Sequence, residues 1–222
     1  MSETASQTET GGFSGVLSAL VAADGTAAHP HAAKMASSPQ AMSIPDLADA
    51  VHYLCLLHGR HPGVIDHAAK HTAENAAGNW LVSSADAFAS ERTYLTRLTV
   101  ALGPIPSTHG HNECEAAVMQ QRHALDMLAQ SDRRGCAMGA AMTLVLDWTA
   151  ARRLLDMAAI RIGIEPHKLS LSSPRATLTL ADALSGDEMV ERAMMFGARQ
   201  LLRQHRGLWD LLMARANLRA NN

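Results

Sequence analysis

The chain has 222 residues, 47% of them hydrophobic, enough for one domain with a real core. A formal charge of -2 supplies no global field for nucleic acid, whose capture needs clustered cations, so nucleic acid is not an expected partner. The three cysteines, Cys55, Cys114 and Cys136, are odd in number and lack CxxC spacing, which argues against a disulfide framework and for a reducing, cytoplasmic setting.

The start, "MSETASQTET", is polar and acidic where a secretory signal would be basic, and the following apolar run "VLSALVAA" is too short to cross a bilayer. The longest apolar stretch, "GCAMGAAMTLVLDWTAA", also falls short of the ~20 residues a span needs and contains Asp147, so no membrane partner is expected. Residues 1–42 are rich in Ser, Thr, Ala and Gly and read as a largely disordered arm. Within it, Phe13, Val16, Leu17, Leu20 and Val21 fall at i, i+3, i+4, i+7 and i+8, the spacing of a short amphipathic helix near 13–23. That helix either packs on its own domain or serves as a tethered docking helix for a groove elsewhere.

Residues 43–222 read as a single helical-bundle domain, because Ala, Leu, Met, Arg and Gln dominate and no β-branched alternation persists. Ser43 as N-cap and Pro45 in the first turn open a helix that buries Leu47, Val51, Leu54 and Leu57 and stops at Gly59. Pro62 opens a second, to about Gly78. A third begins near Ser84 with Phe88, Leu95, Leu98 and Leu102 on one face, and a fourth covers Glu113 to about Ala129. The fifth, roughly Arg134 to Ile162, is apolar around most of its first half, so it is expected at the centre, with Gly135 and Gly139 admitting a close neighbour. A short helix near Ala176–Leu184 and a long one from Asp187 to about Arg219 complete the chain. The fold class is therefore all-α: an antiparallel bundle of about six to seven helices around a central apolar helix, preceded by the arm.

Three groups of residues raise questions of chemistry. In "HGRHPGVIDHAAKHTAEN", His67, His71 and Glu74 share one helical face, and two imidazoles one turn apart with a carboxylate beyond them form a metal-ligand pattern for iron, manganese or zinc. The competing reading is a solvated polar face. Glu91 and Asp147 each lie within an apolar stripe, so both carboxylates point inward and need a donor or a cation. They either share an interior ligand site or form structural salt bridges to Arg92, Arg97, Arg152 or Arg153. His123 joins the ligand-binding candidates if both faces of the fourth helix are buried. Arg192, Arg199, Arg203 and Arg206 form a stripe on the last helix, suited to an acidic partner or simply solvated.

Inward carboxylates and histidines on several helices resemble the ferritin-like di-iron architecture over Ser43 to about Ile162, which implies metals in the bundle core. The diagnostic ExxH is missing, and only His71 and Glu74 give the reversed order; an interior pocket of the haem-oxygenase-like bundle type is the other resemblance. No GxSxG, GxxxxGK[ST] or strand-linked GxGxxG signature is present. Two functional expectations follow: an interior metal- or small-ligand-binding bundle, redox or hydrolytic, and a non-enzymatic interaction or regulatory bundle with a protein partner or a homo-oligomer.

Overall fold

The computed structural model describes residues 12–37, 43–71, 75–105 and 110–221. These residues form an all-α helical bundle: α1 (Phe13–Asp24), a 3-10 turn (Thr26–Ala28), α2 (Pro30–Ser37), α3 (Ile44–His58), α4 (Val64–His71), α5 (Asn75–Leu102), α6 (His111–Ala129), α7 (Cys136–Arg161), α8 (Pro174–Leu184) and α9 (Glu188–Ala220). No described helix is long and apolar enough to cross a membrane.

The starts of α3, α8 and α9 are set by short polar side chains. Ser43 Oγ accepts the Asp46 amide at 3.1 Å, Ser173 Oγ accepts that of Ala176 at 3.2 Å, and Asp187 Oδ1 accepts that of Met189 at 2.8 Å. Each satisfies one of the orphan donors of a first turn.

The central helix is α7, which packs against every other described helix and buries 18 residues, Trp148 completely. Its closest neighbour is α9. A Cβ at Gly139 would collide with the Met194 carbonyl, and one at Gly197 with the Cys136 carbonyl, so the two backbones cross with nothing between them. The sequence placed a close approach at Gly139; the structure identifies the neighbour and the matching glycine.

Two expectations change. The short helix expected near 13–23 forms as α1 and packs on its own domain, but the arm expected to be largely disordered around it is also helical over 30–37, and Phe13, Leu17, Ala32 and Met35 are buried in the common core. Its Ser/Thr/Ala-rich composition hides a few large anchors spaced for burial, and Ser14 N donates to Asp182 Oδ1 at 2.8 Å to fix the start of α1 on α8. The remainder of the arm, 1–11 and 38–42, lies outside the described residues. Secondly, the break expected near Gly78 and Ser84 does not occur, since α5 runs unbroken from Asn75 to Leu102. A glycine costs a helix only about 1 kcal/mol relative to alanine, less than is gained by burying Trp80, Leu81 and Phe88 beyond it.

Candidate functional site

Glu91 lies on the buried stripe of α5 and is fully enclosed, at 0% exposure. Arg152 NH1 of α7 donates to Glu91 Oε1 at 2.8 Å, and Trp148 Nε1 donates to Oε2 at 2.9 Å. His167 Nε2 stands 3.1 Å from Oε1. The rest of the Arg152 fork is also engaged. Its Nε donates to Asp156 Oδ1 at 2.7 Å and its other amino group to the His167 carbonyl, while its carbon sits 4.3 Å over the Tyr94 ring. Tyr94 in turn donates to Asp156 Oδ1 at 2.9 Å. The inward carboxylate of α5 is thus half of a salt bridge to Arg152.

Asp147 is solved differently, without arginine. Thr26 of the 3-10 turn donates its amide to Asp147 Oδ1 at 2.7 Å and its hydroxyl to Oδ2 at 2.6 Å. His205 Nδ1 of α9 stands 2.7 Å from Oδ2, and Trp209 Nε1 donates to Thr26 Oγ1 at 3.1 Å. Burial alone would raise the Asp147 pKa, but the hydrogen bond and charge of His205, with the two bonds from Thr26, outweigh it and hold the carboxyl below its usual range.

The line of polar atoms continues past Asp147. His205 Nε2 faces His58 Nε2 of α3 at 2.9 Å, so a single proton lies between the two rings, given by one and accepted by the other. Burial, with the neighbouring His205, pushes the His58 pKa well below that of an ordinary imidazole. Asp147, His205 and His58 thus form a proton-holding chain across α7, α9 and α3. The arrangement is that of a carboxylate orienting a general base, and among the described residues its far end meets only a small cavity. The cavity beside His58, bordered by Phe88, Arg122, Leu125, Asp126 and Leu144, has about 10 Å³, the scale of one water.

Glu91 and Asp147 come close without sharing a pocket. Between them lies a layer of rings: Trp148 packs edge-on against Phe88 at 4.8 Å and against His58 at 5.6 Å, and His58 against His205 at 4.9 Å. Sequence reasoning placed both carboxylates inside. It missed His205 and His58, although His205 stands in the stripe of Leu201, Leu208 and Leu212 just as Glu91 stands in its own.

The other predicted residues do not join this layer. His123 is exposed, because only one face of α6 is covered, and so is not interior. His67 is half-buried; the side chain of His71 and the whole of Glu74 lie outside the described residues. Among the described residues no three His, Cys, Asp or Glu groups are grouped to hold a metal. Cys55, Cys114 and Cys136 are free thiols. Arg192, Arg199, Arg203 and Arg206 are all exposed on α9.

Among the described residues, ligand-sized space lies at the surface. One cleft of about 400 Å³ runs along α5 past His61, Asp86, Thr93 and Thr96, with Arg92 and Asp66 paired at 2.9 Å in its wall. Two more, of about 490 and 320 Å³, follow one another along the seam of α6 and α9 and share Gln204. Together they form a groove with Ala117, Gln121, Ala124 and Met127 on one wall and Phe196, Gln200, Gly207 and Leu211 on the other. Phe196 is 42% and Met127 62% exposed, and Gln121 Oε1 is buried without a donor.

No curated protein and no solved structure matches the chain. Its residues 21–220 match a family of unknown function, DUF6975, and the chain belongs to that family.

Proposed function

We infer that the protein is a non-catalytic docking module, a bundle whose interior polar groups hold the helices in register and whose α6/α9 groove receives a protein partner. The observation that supports this is the distribution of space among the described residues. Inside, both oxygens of Glu91 and of Asp147 already accept donors, and the cavity beside His58 has about 10 Å³. A small-molecule site ordinarily takes roughly 300–1,000 Å³. Outside, the seam of α6 and α9 offers that volume twice over, with an exposed ring, an exposed thioether and a row of glutamines.

An interior metal or ligand centre built on Glu91 and Asp147 is the weaker reading, since Arg152 and His205 occupy the positions that a cation would take. The tethered docking helix is also recast. The segment 13–24 is buried against α8 and α9 of its own chain, so the surface offered to a partner is a receiving groove rather than a projecting helix.

A photo-reactive phenylalanine analogue at Gln204, in the full chain expressed in its native cells, tests this. The expected result is a discrete adduct that disappears when Ala124→Trp fills the groove, while the same analogue at Thr93 in the α5 cleft gives none. An adduct from Thr93 alone, or one from Gln204 indifferent to the tryptophan, contradicts the reading.

A further inference from the structure

We propose that the occupant of the α6/α9 groove is an amphipathic helix of another protein, with small or aliphatic residues facing the groove and Asp or Glu along the edge that meets α9. The proposal rests on the docking reading and names the class of partner.

Shape comes first. On α9 the groove residues Phe196, Gln200, Gln204, Gly207, Leu211 and Ala214 recur at the i, i+4, i+8, i+11, i+15, i+18 spacing of one helical face. Eighteen residues at 1.5 Å each make a straight wall of about 27 Å, the length of five turns of a partner helix. The opposite wall is low at Ala117 and Ala124, which provide only methyl groups between Gln121 and Met127. A helix can therefore settle between the two ridges with its own small side chains inward, as helices pack when backbones approach. Floor chemistry agrees, since glutamine amides suit a peptide surface and the open edge of Phe196 suits an aliphatic anchor.

Charge then sets the sign. Arg199, Arg203 and Arg206 follow at i, i+4 and i+7 on the exposed edge of α9 beside the groove, and none pairs with a carboxylate among the described residues. Arg192, the fourth of the stripe, is set apart by its pair with Glu188 at 3.3 Å. At the Phe196 end, Arg133 adds a cation 5.4 Å over that ring. The groove's own carboxylate, Asp210, is engaged by His29 Nε2 at 3.0 Å. In a chain of net charge -2 this is a local cationic edge, and it complements an acidic helix. Nucleic acid fits less well, because a phosphate ridge would leave Phe196 and Met127 uncovered and three arginines release few counterions.

The test is a display selection of random 20-residue helical peptides on the full wild-type chain, counter-selected on Ala124→Trp. Gln204→Arg is a second blocking variant, used if the first melts below wild type. Enriched helices are measured against wild type and against the triple variant Arg199→Glu, Arg203→Glu, Arg206→Glu. The expected result is enrichment of helices with an acidic edge, bound about tenfold more weakly by the triple variant and recovered when their acidic edge is changed to Lys. Neutral or basic helices that still depend on an open groove would overturn the acidic partner and leave docking standing. No groove-dependent helix, or groove-dependent binding of a single-stranded DNA 20-mer or of a second copy of the chain, would overturn the proposal and the docking reading together.

Discussion

Two polar regions of this molecule use similar residue types to opposite ends. In the interior layer, each carboxylate is matched by donors from another helix: Glu91 by Arg152 and Trp148, Asp147 by Thr26 and His205. On the α9 edge, Arg199, Arg203 and Arg206 face solvent and form no ion pair among the described residues. Buried charge that is fully paired holds elements in register, whereas unpaired charge at a groove's rim remains available to a partner. The difference teaches that an inward charge is a poor guide to a binding site once its partners are known.

The largest effect expected is inside. Glu91→Gln removes the fully buried one of the two carboxylates that face Arg152, leaving it only Asp156, and should cost about 3 kcal/mol of unfolding free energy, read by chemical denaturation. A loss below 1 kcal/mol would mean that the pair is not structural. Next comes the α7/α9 crossing, where Gly139→Ala forces the backbones apart and should cost about 1–3 kcal/mol, with Gly78→Ala in α5, where nothing lies within 4 Å, as the neutral or stabilising control.

A third test uses pH. Burial holds His58 neutral in the fold, so its contribution is intact above the unfolded value of about 6.5 and is lost as pH falls through that value towards the depressed folded one. Burial lowers His31 and His52 in the same direction. The Asp147 carboxyl, also depressed, adds a second loss that begins only as pH falls below its ordinary 3.8. Stability should therefore decline from about pH 6.5 downward, by up to about 1.4 kcal/mol per pH unit from His58, and His58→Gln should flatten that slope. A flat profile between pH 7 and 5 in the wild type would contradict the buried neutral ring.

The smallest effect on stability, and the one that sharpens the contrast, belongs to the rim. Arg203→Glu should leave unfolding free energy within about 0.5 kcal/mol of wild type, because an exposed side chain far from any packed contact contributes little. Its cost should appear only in binding.

What the sequence discloses follows the range of each interaction. Helical periodicity is local, so the inward aim of Glu91 and Asp147 could be read directly, and Arg152 was among the cations named for them. His205 obeys the same rule, standing among Leu201, Leu208 and Leu212, but a histidine in an apolar stripe attracts less notice than a carboxylate. Thr26 gives no local sign, for its bond to Asp147 spans 121 positions. The α6/α9 groove is less legible still: it depends on the angle at which two helices diverge, and each of its walls alone looks like an ordinary solvated face. The missed continuity of α5 and the missed helix over 30–37 share one cause, that weak local propensity yields to the burial of a few large side chains.

The most direct measurement is amide hydrogen exchange of the full chain with and without the tightest acid-edged helix from the selection. Added protection confined to residues 117–131 of α6 and its end, and to 196–214 of α9, with α3 and α7 unchanged, is the expected result. Protection centred on His58, Asp147 and the α5 cleft would instead make the interior layer the functional site and the groove an incidental seam.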